Sequence, residues 1–462
     1  MKVKVVSRRE EDCTRACRTD RIKRHRNLDP KLHPFEKARE YTRAVTAAKM
    51  DRIFAKPFVG AMDGHKDGVY CSAPSRKSLV QFISGACDGE IKVWDLSARV
   101  CVWSAVAHRG FVRAFIMTWL HSTGLTHPFL HSVAPDGFSF FSCGDDGAIK
   151  QWDLGVASKS AAPEPTQVWQ GGSGCKSMDH HWTEPRFATC GDVVDLWDEA
   201  RAQPTQTYEW GADSINCVSR FNPAERCMLA STGSDRNICL YDTRAASPMR
   251  KVILQMRSNA LCWNPQEPMN FVVANEDHNL YSFDMRSLKQ PMMIHKDHVG
   301  AVLDVSFSPT GQEFASASYD RTIRLFGHRK GKSREVYHTK RMQRLFCVNF
   351  SRDGRFVLSG SDDTNVRIWK ARASDKLGPS VPREQKKKAY TDSLQRRYAH
   401  MPEVRRIATR RHVPKLVRKL AAAEQVQKDK EHRKVHQRKK HSKPGAQITL
   451  PERKKKVVKE MA

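Results

Sequence analysis

No run of about 18 consecutive apolar residues occurs in the chain, so no segment reads as a membrane-spanning helix. The first twenty residues, MKVKVVSRREEDCTRACRTD, lack the apolar stretch of a secretion signal, and the expectation is a chain that stays inside the cell. Thirteen cysteines are scattered from Cys13 to Cys347, yet none forms a C-x-x-C pair, and the closest spacing is Cys13/Cys17. Most lie in apolar, strand-like segments (Cys71, Cys217, Cys239, Cys262, Cys347). They read as small buried hydrophobes rather than as a disulfide frame, a zinc site or a redox pair, so neither metal nor cofactor is expected. Also missing are a P-loop, H-E-x-x-H, G-x-S-x-G and a Gly-rich dinucleotide fingerprint. The expectation is therefore a protein that is not an enzyme. Apolar content is not what is scarce: at 39% it suffices for a packed core.

Acidic residues are scarce only at the ends. Residues 1–52 hold 16 Lys and Arg against 8 Asp and Glu, residues 53–372 hold 37 against 33, and residues 373–462 hold 27 against 9. Of the net +30, only +4 belongs to the middle. A near-neutral body with cationic extensions is the footprint of polyanion binding, with nucleic acid the commonest partner. These boundaries give three expected parts: a basic N-terminal extension with a helix (1–52), a repeat domain (53–372) and a basic helical C-terminal domain (373–462).

The middle repeats. A short strand-like segment recurs seven times: IKVWDL, IKQWDL, VDLWDE, ICLYDT, LYSFDM, IRLFGH and VRIWKA. Their aromatics are Trp94, Trp152, Trp197, Tyr241, Phe283, Phe326 and Trp369, at successive spacings of 58, 45, 44, 42, 43 and 43 residues. That is the period of a WD40 blade of four short strands. The fold class expected is all-β, a seven-bladed WD40 β-propeller with basic helical extensions at both ends. The long first interval points to an insertion around His121–Pro135. Six residues before the aromatic stands Asp88, Asp146, Asp235, Asp277, Asp320 or Asp363, each in a hairpin turn whose backbone N–H groups its carboxylate can accept. The third repeat departs, with Asp192 five before Trp197.

Upstream stand Gly64-His65 and Ala107-His108, with His298 and His338 near equivalent points. In WD40 proteins such a histidine bonds the turn Asp. Because these residue types recur from blade to blade, they read as structural, not as metal ligands or acid–base groups. After Val366–Lys370 the chain turns polar, leaving the last blade one strand short. The apolar segment Phe54–Met62 is expected to supply that strand and close the ring without exposed edges.

Outside the propeller, Phe35 to Ile53 reads as a helix with Phe35, Ala38, Tyr41, Val45 and Ala48 on one stripe. From Pro414 to about Lys439 runs another, its cations spread around most of the surface. The strings RNLDPKLHPFEKAREYTRA and FAKPFVG before the propeller, and YAHMPEVRRIATRRHVPK, RKKHSKPG and PERKKKVV after it, resemble the Sof-type WD40 family over nearly the whole chain. That resemblance implies a nucleolar scaffold of the small-subunit processome, the 90S pre-ribosome built on U3 small nucleolar RNA, acting in early pre-rRNA processing. Its implied partners are pre-ribosomal RNA, U3 RNA or both, together with other processome proteins.

Seven tail cations, Arg405, Arg406, Arg410, Arg411, Lys415, Arg418 and Lys419, fall within fifteen residues, and Arg438, Lys439 and Lys440 follow. They are the expected RNA or pre-ribosome contacts, salt-sensitive and led by shape, since few aromatics interleave. A tail so charged is expected to order on its target. The runs at 386–388, 438–440 and 453–456 could serve nuclear import, RNA contact or both. The alternative function is a substrate receptor of a cullin-4 ubiquitin ligase, whose receptors share W-D-x-R strings at blade ends. The nearest strings here, Tyr241-Asp242-Thr243-Arg244 and Phe283-Asp284-Met285-Arg286, make Arg244 and Arg286 the candidate adaptor contacts. The plainer account is that these arginines finish a strand.

Overall fold

A computed structural model describes residues 30–461 apart from 33, 76–77, 118–138, 155–163, 210–214, 220, 224, 226, 444–445 and 447–449. The expected insertion at His121–Pro135 and the Cys13/Cys17 pair lie outside the described residues.

The described strands form seven antiparallel sheets, six of four strands and one of five. Blade 1 shows the plan: Val69–Pro74 innermost, then Gln81–Ala86, Glu90–Asp95 and, outermost, Val100–Val106. The innermost strands of the other six begin at Val112, Ser177, Ile215, Ser258, Val302 and Leu345, each beside the next, and Leu345–Phe350 returns to Val69–Pro74. The expected segment closes the ring, but only its later part is strand: Phe58–Met62 pairs with Val366–Lys370 as the outer strand of blade 7, while Phe54 ends the preceding helix. Second strands such as SFFSCG are buried at every position, because neighbouring blades cover both faces. The apolar clusters accordingly lie between blades. One joins Ile83, Val93 and Ala105 of blade 1 to Phe115, Phe140 and Trp152 of blade 2; another joins Trp94 and Phe82 to Leu358 and Ile368 of blade 7.

Each aromatic of the repeat sits on the third strand, and in every blade but the third the Asp six before it occupies the hairpin leading in. The carboxylate accepts the backbone N–H two residues on, as in Asp88 with Glu90 (3.0 Å) and Asp320 with Thr322 (3.0 Å). The residue between them takes a left-handed conformation. It is glycine in the first two blades (Gly89, φ 88°; Gly147, φ 70°) but Arg236, His278, Arg321 and Thr364 in the last four, at φ 64° to 69°. A non-glycine residue there is strained, so the Asx bond of the preceding carboxylate helps hold the turn.

The chain divides into two compact units, residues 57–372 with 411–462, and residues 1–56 with 373–410. Within the second of these, α1 (Glu36–Ile53), α2 (Pro382–Arg397) and α3 (Pro402–Ala408) pack around Ala44, Val45, Ala48, Leu394 and Val404. Tyr41 donates to Glu403 (3.2 Å), while Arg397 and Tyr398 both reach Glu40 at 2.9 Å. The expected stripe on α1 is corrected at its start: Phe35 and Ala38 are exposed, because Leu394 and Val404 cover only the later turns.

Within the propeller unit the tail continues as α4 (Lys415–Lys440), and after α5 (Glu452–Lys456) comes a strand, Val457–Met461. It adds antiparallel to Pro248–Leu254 as the fifth strand of blade 4, pairing Lys251 with Met461 and Leu254 with Val457. Lys456 on Asp277 (3.0 Å) and Glu452 on Lys296 (2.5 Å) fasten it to blade 5 and the loop after it.

Candidate functional site

Two constellations stand out, one inside the blades and one along the tail. Inside blade 2 four side chains form a relay. Trp152 Nε1 donates to Ser142 Oγ (2.9 Å), Ser142 pairs with His108 Nε2 (2.8 Å), and His108 Nδ1 meets Asp146 (2.9 Å). Burial lowers the pKa of His108, outweighing the pull of Asp146. A neutral ring donating from Nδ1 to Asp146 and accepting at Nε2 satisfies every group in the chain.

The other blades carry the relay in parts. Blade 1 has Trp94–Ser84 (2.7 Å) and Ser84–His65 (2.6 Å), but among the described residues the His65 Nδ1 has no hydrogen bond and lies 3.8 Å from Glu90 instead of on Asp88. Burial, with Lys92 close by, pushes the His65 pKa down to about 4. Blade 6 keeps His298–Asp320 (3.0 Å) and His298–Ser316 (2.7 Å), but Phe326 has no N–H to give. In blades 3, 4 and 7, Trp197 bonds Thr189 (2.8 Å), Tyr241 bonds Ser231 (2.9 Å) and Trp369 bonds Ser359 (2.9 Å). The remaining turn acids found other cations or hydroxyls: Asp235 takes Lys251 (3.4 Å), Asp363 takes Arg367, and Asp277 takes Tyr281 and Lys456. Phe283 packs against Phe271. His338, expected near a turn Asp, instead stacks on His412, with ring centroids 5.1 Å apart and planes 1° from parallel. The Ser and Thr hydroxyls at the centre of these relays are the residues that sequence reading missed.

Among the described residues, no group of three or more His, Cys, Asp and Glu could hold a metal ion, and no helix is long and apolar enough to cross a membrane. Cys71, Cys239, Cys262 and Cys347 are buried free thiols, and burial pushes Cys347 up to about 12 and Cys239 to about 11. Cys71, Cys239 and Cys347, raised by burial, are protonated and inert at neutral pH.

The tail cations fall into two groups by what they touch. Arg405 and Arg406 on α3 and Arg410 just after it are exposed. Arg411 is not: its guanidinium lies on Asp297, and it donates to the Ser333 carbonyl (3.0 Å) and hydroxyl (2.6 Å). From there α4 presents Lys415, Arg418 and Lys419 in its first turns and Arg438, Lys439 and Lys440 in its last, all exposed. Those ends stand about 35 Å apart at 1.5 Å per residue. Over 415–440 there are 10 Lys and Arg against 3 Asp and Glu, and no acid lies in the first turn. Cations at a helix N-terminus add to the positive end of its dipole, so that end is a strong attractor for phosphate. Lysines 386–388 lie on α2, where Lys388 pairs with Asp375 (2.5 Å). In the run 453–456, Lys456 is taken up by Asp277.

Arg244 and Arg286 sit just past the third strands of blades 4 and 5, both exposed. Arg286 is forked onto Asp284 (3.2 and 3.0 Å). Arg244 contacts the Cys227 sulfur (3.0 Å) and lines a cleft of about 390 Å³ with His181, Glu184, Arg186 and Phe221.

The Sof1-like domain model matches residues 371–457, and the WD domain, G-beta repeat, matches 56–95, 121–153, 202–242, 289–327 and 334–370. Similar proteins include "DDB1- and CUL4-associated factor 13" of Xenopus laevis, 47% identical over 99% of both chains, and of Homo sapiens, also 47% over 99% of both. "Protein SOF1" of Saccharomyces cerevisiae is 42% identical over 91% of this chain and 87% of its own. A closed seven-bladed ring with relay residues in its blades and a matching tail settles the family: the chain is a member of the Sof1-like WD40 proteins.

Proposed function

We propose that this protein is a non-enzymatic assembly factor of the nucleolar small-subunit processome, with its propeller turned to protein partners and its tail laid against pre-ribosomal RNA, U3 RNA or both. This is the role implied by the family resemblance. The observation that carries it is the two-ended distribution of exposed cations on α4, which the fold fixes at its start through Arg411 and after its end through the fifth strand of blade 4. A polyanion spanning such a helix releases counterions at both ends, so binding weakens steeply with salt. Arg411 serves in this reading as the anchor rather than as a phosphate contact. The test replaces Lys415, Arg418, Lys419, Arg438, Lys439 and Lys440 by glutamine in the full chain and follows sedimentation with early pre-ribosomal particles. Loss of co-sedimentation is expected; unchanged co-sedimentation removes the tail from the mechanism.

The second reading, a cullin-4 ligase receptor, draws on the vertebrate relatives, DDB1- and CUL4-associated factor 13, and on exposed Arg244 and Arg286 at equivalent places in adjacent blades. Pull-down of the adaptor by Arg244→Ala and Arg286→Ala chains separates the two. Full recovery of the adaptor rejects these contacts.

A further inference from the structure

A second group of exposed cations lies on the propeller itself. The loop from blade 6 to blade 7, residues 338–344, is held by buried Met342 and by the Arg344 carbonyl, which accepts the Asp362 N–H at 2.9 Å. Lys340, Arg341 and Arg344 are exposed on it. Beside them, the hairpin of blade 6 presents Tyr319, 43% exposed, with the Arg344 guanidinium 4.4 Å from its ring centre, and then exposed Arg321. None of these four cations has a carboxylate partner among the described residues. By contrast, Arg113 on the innermost strand of blade 2 and Arg257 on the loop before that of blade 5 are held by Asp145 (2.6 Å) and Glu276 (2.9 Å). Asp320, between Tyr319 and Arg321, is already engaged by His298.

We propose that this rim of blades 6 and 7 is a single-stranded RNA site, in which Arg321, Lys340 and Arg341 hold phosphates and a base stacks on the Tyr319–Arg344 pair. An aromatic ring beside unpaired cations is what a single-stranded segment needs, since stacking and backbone neutralisation together give sequence-tolerant binding. An acidic peptide would use the cations but has no need of the exposed ring. The site also joins the tail. His338, two residues before Lys340, stacks on His412, and three residues of chain carry His412 to Lys415, a reach of about 11 Å at most. Rim and helix start thus form one cationic tract. The inference rests on the RNA-binding reading of the tail but places base contact on the propeller.

The test uses the full chain, a labelled mixed-sequence single-stranded RNA and a labelled poly-glutamate peptide, with anisotropy read across a salt series. Three variants are compared: R321Q/K340Q/R341Q on the rim, Y319L, and K415Q/R418Q/K419Q on the tail. The rim variant should flatten the slope of log affinity on log salt by about 2, as three lost phosphate contacts require. Y319L should bind about tenfold more weakly with the slope unchanged. All the altered side chains are exposed, so unfolding curves should match the parent's. RNA binding that falls only in the tail variant overturns the rim site and leaves the tail reading intact. No RNA binding by the parent chain overturns both. Poly-glutamate binding that the rim variant abolishes, with RNA binding untouched, assigns the rim to an acidic protein segment and also overturns the proposal.

Discussion

Replacing Ser142 by alanine tests whether the blade relay is one connected unit or a set of separate contacts. Its hydroxyl is, among the described residues, the only link between Trp152 Nε1 (2.9 Å) and His108 Nε2 (2.8 Å), and all three groups are buried. Alanine leaves one donor and one acceptor unsatisfied in a dry site, each costing about 1–3 kcal/mol, so a loss of about 3 kcal/mol is expected. Blade 6 supplies the internal control. There Ser316 bonds His298 (2.7 Å), but the facing aromatic is Phe326, so Ser316→Ala strands one ring nitrogen, and about half the loss is expected. The cycle completes with Trp152→Phe, which turns blade 2 into a likeness of blade 6. In that background Ser142→Ala should fall to the blade 6 value, giving a coupling of about 1.5 kcal/mol between positions 142 and 152. Urea unfolding of the four chains measures it. A coupling near zero, with both serine variants costing the same, would mean that the indole bond contributes nothing, and the relay argument would fail.

Three further expectations follow from the same geometry. His65 is neutral in the fold, with its pKa held at about 4, while the unfolded chain protonates near 6.5. The depressed histidine therefore lends stability that is fully present above about pH 6.5 and declines as pH falls toward 4. At pH 5 the loss is about 2 kcal/mol, and His65→Gln should shrink the pH 8 to pH 5 difference in unfolding free energy by that amount. Arg411→Ala leaves Asp297 with the Ser333 N–H (2.7 Å) and hydroxyl (2.8 Å) and with Arg324 at 3.9 Å but cuts the tie to the tail, so the start of α4 should open about 30-fold more often, read as faster amide exchange there while blade 1 is unchanged. Ending the chain after Leu450 uncovers the outer strand of blade 4, and amides along Lys251–Leu254 should exchange at least about tenfold faster.

What the sequence revealed of the fold, and what it hid, divides by the range of the interaction. The seven aromatics, the turn acids and the closing strand at Phe58–Met62 were legible because each depends on a fixed offset within one repeat or on a missing strand. The relay serines carried a signal too: Ser84, Ser142, Ser231, Ser316 and Ser359 each stand ten residues before the repeat aromatic. They were passed over because serine is common in loops, and its meaning comes only from the pairing of second and third strands, which places it diagonal to the ring, as Ser84 opposite Lys92 lies beside Trp94. The fifth strand on blade 4 had no such signal. VVKEM is a plausible edge strand, but nothing in its own residues says which of seven similar blades will take it. That choice depends on Lys456 meeting Asp277 and Glu452 meeting Lys296, contacts across more than 150 residues. The helix of residues 36–53 was likewise legible, and its partners Leu394 and Val404 were not.

The same distinction governs the charge. A net of +18 in residues 373–462 reads as one cationic tail, but the structure sorts it by partner. Arg397 goes to Glu40, Lys388 to Asp375, Arg411 to Asp297 and Lys456 to Asp277, and those cations hold the tail in shape. Only cations without such partners can release counterions when a polyanion binds, so the salt slope should count them and not the formal charge. A slope that matched the full excess would mean the internal pairs open on binding, in which case Arg411→Ala should flatten the slope by about 0.7, as one lost phosphate contact requires. A slope matching the exposed set, with Arg411→Ala weakening RNA binding by loosening α4, assigns those arginines to architecture and leaves recognition to the rest.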